Sequence, residues 1–483
     1  MRFKRVFLIN SAQSGYYGPL RPHIGLGYIS EALAIKGFCY DICDMLFGYS
    51  DRQLVQKIKS FEPDLIGFNA YTYNYLKTYE FIRRIKSYFP NIPFILGGPH
   101  VTTYGAQVPE ELDEVDYSVM REGEDTILEL CKGKNFEQIK GLIYRKNGEI
   151  VKNPGREFNA DLDSLHFPTY EKFELKRYIP EIPILSSRGC PYKCTFCQVD
   201  EVAGIKFRER DLENIFTELS YWYEKGYRRF NFMDDNFTLK PQRVYQLCDM
   251  IDSGNFNSLF MRCAGVRCDK VNKDLLKRMK DVGFRTVSFG VEGGNDKVLK
   301  SLRKGEKIST IDKTIKIACD LGFDVNLFFL IGAPLETKKD VHDSFNLALK
   351  YPVFRVNFYN IIPYPKTEIY EWIEKKGYFI REPKDYLNDL SANDIAPVFK
   401  TEEMSVSEKI ELLREARRIE RKVLENSVLR RLERIKVRGI LGKIIAYLLS
   451  RKITEELIFK HVIIRKIFEY ARYQFHALEN KKI

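Results

Sequence analysis

The sequence predicts an α/β protein built from two successive parallel sheets and a helical C-terminal region. Three observations carry that prediction. Short apolar runs alternate with amphipathic stretches along the first 150 residues. A second series of such units begins at Ile184. From about Glu402 the pattern is helical throughout. The 483 residues suffice for two or three domains, and 44% hydrophobic with 13% aromatic residues is the composition of a chain with packed cores.

In the first series, KRVFLIN reads as a strand, and GLGYISEALAIKG as a helix stopped at Gly37. FCYDICDM, LIGFNAY and IPFILGG are further strands, with helices DRQLVQKIKSFEPD and TYEFIRRIKSYFPN between them. This order predicts a doubly wound, Rossmann-like domain over residues 1–150, with ligands bound beyond the carboxyl ends of its strands. LGGPHVTTYG lies at one such end. Gly97 and Gly98 are therefore candidates for close approach of backbone to a ligand, against the plainer reading of a tight turn before Pro99. KNGEI looks like a hairpin turn, and residues 151–182, rich in proline and turn formers, read as a linker.

The second series occupies residues 183–375. Its strands are ILSSRG, RFNFMDD, LFMRCAG, RTVSFGVEGG, VNLFFLIGAP and VNFYNIIP. Six βα units in series predict a complete or partial β/α (TIM-type) barrel, whose chemistry sits at the carboxyl ends of the strands. Most of those ends carry polar residues or glycine. Residues 376–483 complete the chain as a helical, basic region. From Arg421 to Ile483 there are 16 Lys and Arg against 6 Asp and Glu, so most of the net charge of +12 lies there.

Ten cysteines are too few for a disulfide scaffold. Seven of them (Cys39, Cys43, Cys131, Cys248, Cys263, Cys268 and Cys319) read as reduced core thiols, which points to the cytoplasm. The N-terminal apolar run is too short for a signal peptide, and no stretch has the roughly 18 apolar residues of a membrane span.

The remaining three cysteines, Cys190, Cys194 and Cys197, are spaced C-x-x-x-C-x-x-C in RGCPYKCTFC. Three thiolates hold three irons of a 4Fe–4S cubane and leave the fourth iron open to an exogenous ligand. Zinc, with a remote His or Cys, is the alternative. A helical stripe of core cysteines is excluded by Gly189, Pro191 and Lys193, which make this a loop.

These residues resemble the radical S-adenosylmethionine (SAM) superfamily. The resemblance implies that the open iron chelates the amino and carboxylate groups of SAM, and that Phe196 lies near its adenine. RFNFMDDNFT resembles the second-strand motif, which gives Asp234, Asp235 and Asn236 contacts to the methionine moiety or the substrate. GVEGGN matches the fourth-strand pattern, with Glu292 a candidate ribose contact. Arg267, in VRCD, is a candidate partner of the methionine carboxylate. LIGAPLET is similar to the fifth-strand segment. Each has a plainer reading: a helix cap for Asp234 and Asp235, and structural ion pairs for Glu292 and Arg267.

The first 150 residues resemble the cobalamin-binding domain that precedes many such cores, through PLRPHIGLGYISEAL, FILGGPHVTTYGAQVPEEL and DYSVMREGEDTILEL. One departure matters. Where that domain carries Asp-x-His-x-x-Gly, this chain reads DMLFGY, with Leu46 at the histidine position. His100 is a poor substitute ligand and reads as a loop residue.

The resemblance implies a radical SAM enzyme with a 4Fe–4S cluster, SAM and cobalamin as cofactors. It would functionalise an unactivated carbon by methyl transfer. Cobalamin-assisted cyclisation or rearrangement, and a non-catalytic cobalamin or redox sensor, are the alternatives. The implied partners are a small-molecule or lipid-like substrate and a reductant such as a ferredoxin or flavodoxin. The basic tail reads first as a cap on the barrel and second as a membrane-surface contact. No RNA-binding module is recognisable, which disfavours nucleic acid.

Overall fold

A computed structural model describes residues 1–11, 20–389, 395–434 and 436–451, with Ile464 and Ile467. Pro19 of PLRPHIGLGYISEAL and nearly all of the tail beyond Arg451 lie outside the described residues. The chain forms two compact units: Met1–Ile179 with Gln198–Glu209, and Pro180–Cys197 with Arg210–Ile483.

The first unit is built on seven strands: β1 (Arg5–Asn10), β2 (Cys39–Asp44), β3 (Leu65–Asn69), β4 (Phe94–Gly97), β5 (Tyr117–Val119), β6 (Leu142–Lys146) and β7 (Glu149–Lys152). Their order is β2-β1-β3-β4-β5-β6-β7. The first five are parallel, and β6 and β7 form an antiparallel hairpin. The hairpin turns at Asn147 and Gly148, both at positive φ, as a tight two-residue turn requires. The order 2-1-3-4-5 is that of doubly wound flavodoxin-like sheets, whose switch point falls between β1 and β3. β3 is buried along its whole length, which is why it reads as an apolar run and not as an alternation. The helix Asp51–Phe61 starts at a Ser50–Gln53 capping box, as its sequence predicts.

The second unit contains six parallel strands: β8 (Ile182–Ile184), β9 (Arg229–Phe232), β10 (Phe260–Val266), β11 (Phe284–Glu292), β12 (Asp324–Ile331) and β13 (Arg355–Asn360). They pair in sequential order, so β8 and β13 are edges and the barrel is partial. An open edge is a template for unwanted pairing. Here the long helix Val406–Arg434 covers β13. Glu420 Oε1 accepts from Phe358 N at 2.6 Å, Arg417 donates to Phe358 O, and the two side chains pair at 2.9 Å.

Five of the seven scattered cysteines are buried core thiols, but Cys39 is exposed and Cys319 is half-buried, so the prediction fails for those two. Cys39 opens β2, where the strand enters the sheet and its first side chain faces out. No helix among the described residues is long and apolar enough to cross a membrane.

Candidate functional site

The three clustered cysteines occupy a loop shortly after β8, at the carboxyl end of the partial barrel. All three are half-buried and free, and Phe196 is half-buried between two of them. Backbone bonds pin the loop: Thr195 N donates to Leu302 O at 3.1 Å, Ile369 N to Thr195 O at 3.0 Å, and Cys197 N to Cys194 O at 3.1 Å.

The second-strand residues brace this loop. Asp234 is 3% exposed, and its Oδ1 accepts from Ser186 Oγ at 2.7 Å and Ser187 Oγ at 2.5 Å. Burial pushes its carboxyl above the usual range against those bonds. Asp235 accepts from Gly189 N at 2.8 Å, immediately before Cys190. Asn236, 1% exposed, points Nδ2 at Cys190 Sγ, 3.8 Å away. Asp235 and Asn236 thus reach the cysteine loop itself and Asp234 the segment that leads into it, and the helix-cap reading of Asp234 and Asp235 does not apply.

A buried charge cluster lies beside it. β11 carries a bulge between Gly290 and Glu292, and Glu292 has φ 67°, rare for a residue with a side chain. Its Oε1 lies 3.3 Å from Lys304 Nζ, which is also 3.5 Å from Glu306 Oε2. Burial disfavours the Lys304 ammonium, but the two glutamates outweigh it and lift its pKa to about 12. Arg267 is 5% exposed. Nε pairs with Asp269 at 2.9 Å, Nη1 donates to Lys304 O at 2.9 Å, and the guanidinium lies 3.6 Å over the Tyr192 ring. Asp269 and Glu306 (3.8 Å) already compensate its charge, which favours the structural reading of Arg267 over a methionine-carboxylate contact. Burial raises the Cys194 thiol, while Lys304 and Arg267 pull it down. Sequence reading missed Lys304 and Glu306, because only folding brings them to the loop, and it missed Tyr192, whose partner Arg267 comes from a distant segment.

The donor set fits a cubane with one open iron. Among the described residues no three His, Cys, Asp or Glu side chains converge as a single ion requires, whereas a cubane takes each thiolate on a different iron. Thr195 Oγ1, Asp234 Oδ2 and Asn236 Oδ1 are buried without hydrogen-bond partners among the described residues, which leaves polar atoms beside the loop for a polar ligand.

In the first unit, Asp44 opens the DMLFGY stretch and is buried. It accepts from Asn10 Nδ2 (2.9 Å), Leu46 N (2.9 Å) and Tyr178 OH (2.7 Å), and burial pushes its pKa up to about 6. Leu46 is buried hydrocarbon, so the position offers no metal ligand. His100 is not a loop residue: it lies in the helix Pro99–Tyr104, 1% exposed. It stacks on Tyr75 at 4.4 Å, and Nε2 is 2.8 Å from Tyr79 OH. Burial lowers its pKa to about 3. Gly98, at φ 108°, caps that helix, and a Cβ there would sit 2.6 Å from Ala70 O. Its glycine is thus explained by backbone packing. A Cβ on Gly97 would meet nothing closer than 3.9 Å. The sequence missed His23, which accepts from Leu26 N at 3.0 Å and lies 2.8 Å from Tyr71 OH. Ser11 Oγ, just past β1, and Thr72 Oγ1, just past β3, are buried without partners among the described residues. Hydroxyls on both sides of the switch point fit a ligand rimmed with amides, as cobalamin is.

A family model for the Radical SAM superfamily matches residues 184–348, and one for the B12 binding domain matches residues 16–131. The "Uncharacterized methyltransferase PH0819" of Pyrococcus horikoshii is 28% identical over 436 residues, covering 86% of this chain and 92% of that one. An anaerobic magnesium-protoporphyrin IX monomethyl ester cyclase of Cereibacter sphaeroides is 24% identical over 409 residues, 81% of this chain and 65% of that one. The solved structure of the radical SAM methyltransferase TsrM of Kitasatospora setae, with cobalamin and a [4Fe–4S] cluster bound, shares the fold: TM-score 0.67, 19% identity, covering 78% of this chain and 79% of that one. The chain therefore carries a B12-binding domain followed by a radical SAM domain. Its cofactors are a 4Fe–4S cluster, SAM and cobalamin. Enzymes of this class act on small molecules and need a reductant.

Proposed function

We propose that this chain is a cobalamin-dependent radical SAM methyltransferase acting on an unactivated carbon of a small-molecule or lipid-like substrate. The observation that carries the reading is the half-buried Cys190–Cys194–Cys197 loop, braced by Asp235 and Asn236, in a chain that also has a B12-binding domain. The name of the Pyrococcus horikoshii relative, matched over 92% of its length, supports methyl transfer.

When bound, the cluster would supply the electron for reductive cleavage of SAM, and cobalamin would supply methyl-transfer chemistry. The chain's own residues do the rest. Cys190, Cys194 and Cys197 hold three irons and leave the fourth for SAM. Asp235 and Asn236 hold the loop, and Asn236 also tempers the charge on the Cys190 sulfur. Glu292 faces the site with one oxygen committed to Lys304. Phe196 would lie toward the adenine, and Gly97 with the hydroxyls of Ser11 and Thr72 would lie toward the corrinoid. Ring closure is the second reading, favoured by the cyclase relative.

The reductant is a ferredoxin or flavodoxin, and the protein is cytoplasmic and peripheral to the membrane. Supporting that, the helix Gly439–Leu449 exposes Ile440, Leu441, Ile444, Tyr447 and Leu448 on one face, in the most basic part of the chain.

The test is anaerobic. Protein expressed with cobalamin is reconstituted, reduced with dithionite and given SAM, and 5′-deoxyadenosine and bound corrinoid are measured together. Deoxyadenosine lost in Cys194→Ala, with stoichiometric corrinoid, is the expected result. Deoxyadenosine without corrinoid refutes methyl transfer, and no deoxyadenosine from an intact cluster refutes the radical enzyme.

A further inference from the structure

The first turn of the long helix Val406–Arg434 buries a lysine. Lys409 is 2% exposed, and its Nζ has no hydrogen-bond partner among the described residues. The ammonium lies 3.9 Å over the Phe399 ring and against the open face of Gly332, where any Cβ would overlap it. Gly332 follows β12 and begins the bend Gly332–Glu336, at the end of the barrel where chemistry is done. The bend is held from inside. Glu336 is fully buried, and its Oε2 accepts from Gly332 N at 2.6 Å and Ala333 N at 3.1 Å. Its Oε1 has no hydrogen-bond partner among the described residues. Gly332 at φ 101° and Leu335 at φ 66° are conformations that need such a hold. The bend follows the strand on which Phe329 pairs with Glu292, and its Leu335 is 55% exposed.

Two buried groups of opposite charge therefore meet across Gly332, one from the barrel and one from the C-terminal helix. Burial raises Glu336 to about 7 and lowers Lys409 to about 8, while each partner's charge opposes that shift in the other. Asp340, on the helix that follows the bend, also acts on Glu336 and raises it further.

We propose that Lys409 is a positioning residue for SAM: by compensating Glu336 it fixes the Gly332–Glu336 bend, so that the C-terminal helix completes the binding face of the barrel. The inference rests on the radical SAM reading above.

The test measures SAM affinity by equilibrium dialysis on full-length, cluster-reconstituted protein between pH 6.5 and 9. In Lys409→Met, Glu336 loses its partner and titrates higher. An uncompensated buried carboxylate then forms as pH rises, and affinity falls with rising pH. In Glu336→Gln, Lys409 is the uncompensated charge and titrates lower, so affinity falls as pH falls. Each slope amounts to about tenfold across the range, because an unpaired buried charge is costly. The double variant carries neither charge and is flat, within a few-fold of wild type. Opposite slopes in the two single variants support the proposal. Single variants that follow the wild-type curve refute it, even when their Tm falls, because that is the mark of a purely structural lysine. If Lys409→Met does not fold, the slope of Glu336→Gln decides alone. Wild-type protein that fails to bind SAM overturns the functional reading itself, which separates the two failures.

Discussion

Replacing Asn236 by leucine keeps the volume of a 1%-exposed side chain and removes one bond, from Nδ2 to Cys190 Sγ at 3.8 Å. A hydrogen bond to an ionised group contributes about 1.5–3 kcal/mol, and the long N···S distance places this one at the lower end. The electron-rich, reduced cluster gains more from the donor than the oxidised one does. Taking about half of the bond as that difference gives ~0.7 kcal/mol, or ~30 mV for a one-electron couple in which tenfold is about 59 mV. The cluster potential of Asn236→Leu is therefore expected to fall by that amount. The assay is a potentiometric titration of the reconstituted protein followed by electron paramagnetic resonance, with Tm measured alongside to show that the loop has stayed in place. An unchanged or raised potential in a variant of wild-type stability refutes the argument.

Three further outcomes follow from the same geometry. Gly98→Ala, at a backbone conformation close to glycine-only and with Ala70 O 2.6 Å from the new Cβ, is expected to cost about 1–3 kcal/mol or more in a urea titration. Asp44 is held near pKa 6 by burial, above the 3.8 of a free carboxyl, so its ionisation weakens the fold as pH rises from about 4 to 6. Asp44→Asn, which keeps the acceptor for Leu46 N, should thus raise Tm relative to wild type at pH 7.5, by about 1–2 kcal/mol of stability, and lose that advantage below pH 4. Ile444→Glu, in the middle of the exposed apolar face of Gly439–Leu449, is expected to reduce co-sedimentation with phosphatidylglycerol vesicles several-fold without affecting cluster content; equal sedimentation would remove the membrane contact.

The repeating βα order of both series was legible because buried parallel strands must be apolar runs and their crossovers amphipathic. The hairpin at Asn147–Gly148 was legible because a tight turn demands those residue types. The cysteine loop was legible for a similar local reason: Gly189, Pro191 and the spacing of the three cysteines lie within nine residues. Side-chain partnerships across the chain were not. Asp235 bonds to Gly189 from 46 residues away, and Lys304 meets Glu292 from 12 away across a bulge that no pattern announces. Arg267 read as a ligand contact because only its position after a strand was visible; its commitments to Asp269 and Glu306 arise in the folded barrel. His100 read as a loop residue because Gly-Gly-Pro signals a turn, and the turn proved to be the start of a helix with Pro99 at its first position.

The sequence by itself determined the two sheets, the loop that offers three thiolates and the absence of histidine at residue 46, because these depend on local periodicity and residue identity. Tertiary structure alone decided which edge of the barrel the C-terminal helix closes, which charges neutralise one another beside the cysteines, and that Lys409 rests on Gly332. Such pairings depend on desolvation and close contact between distant segments, and neither exists until the chain has folded.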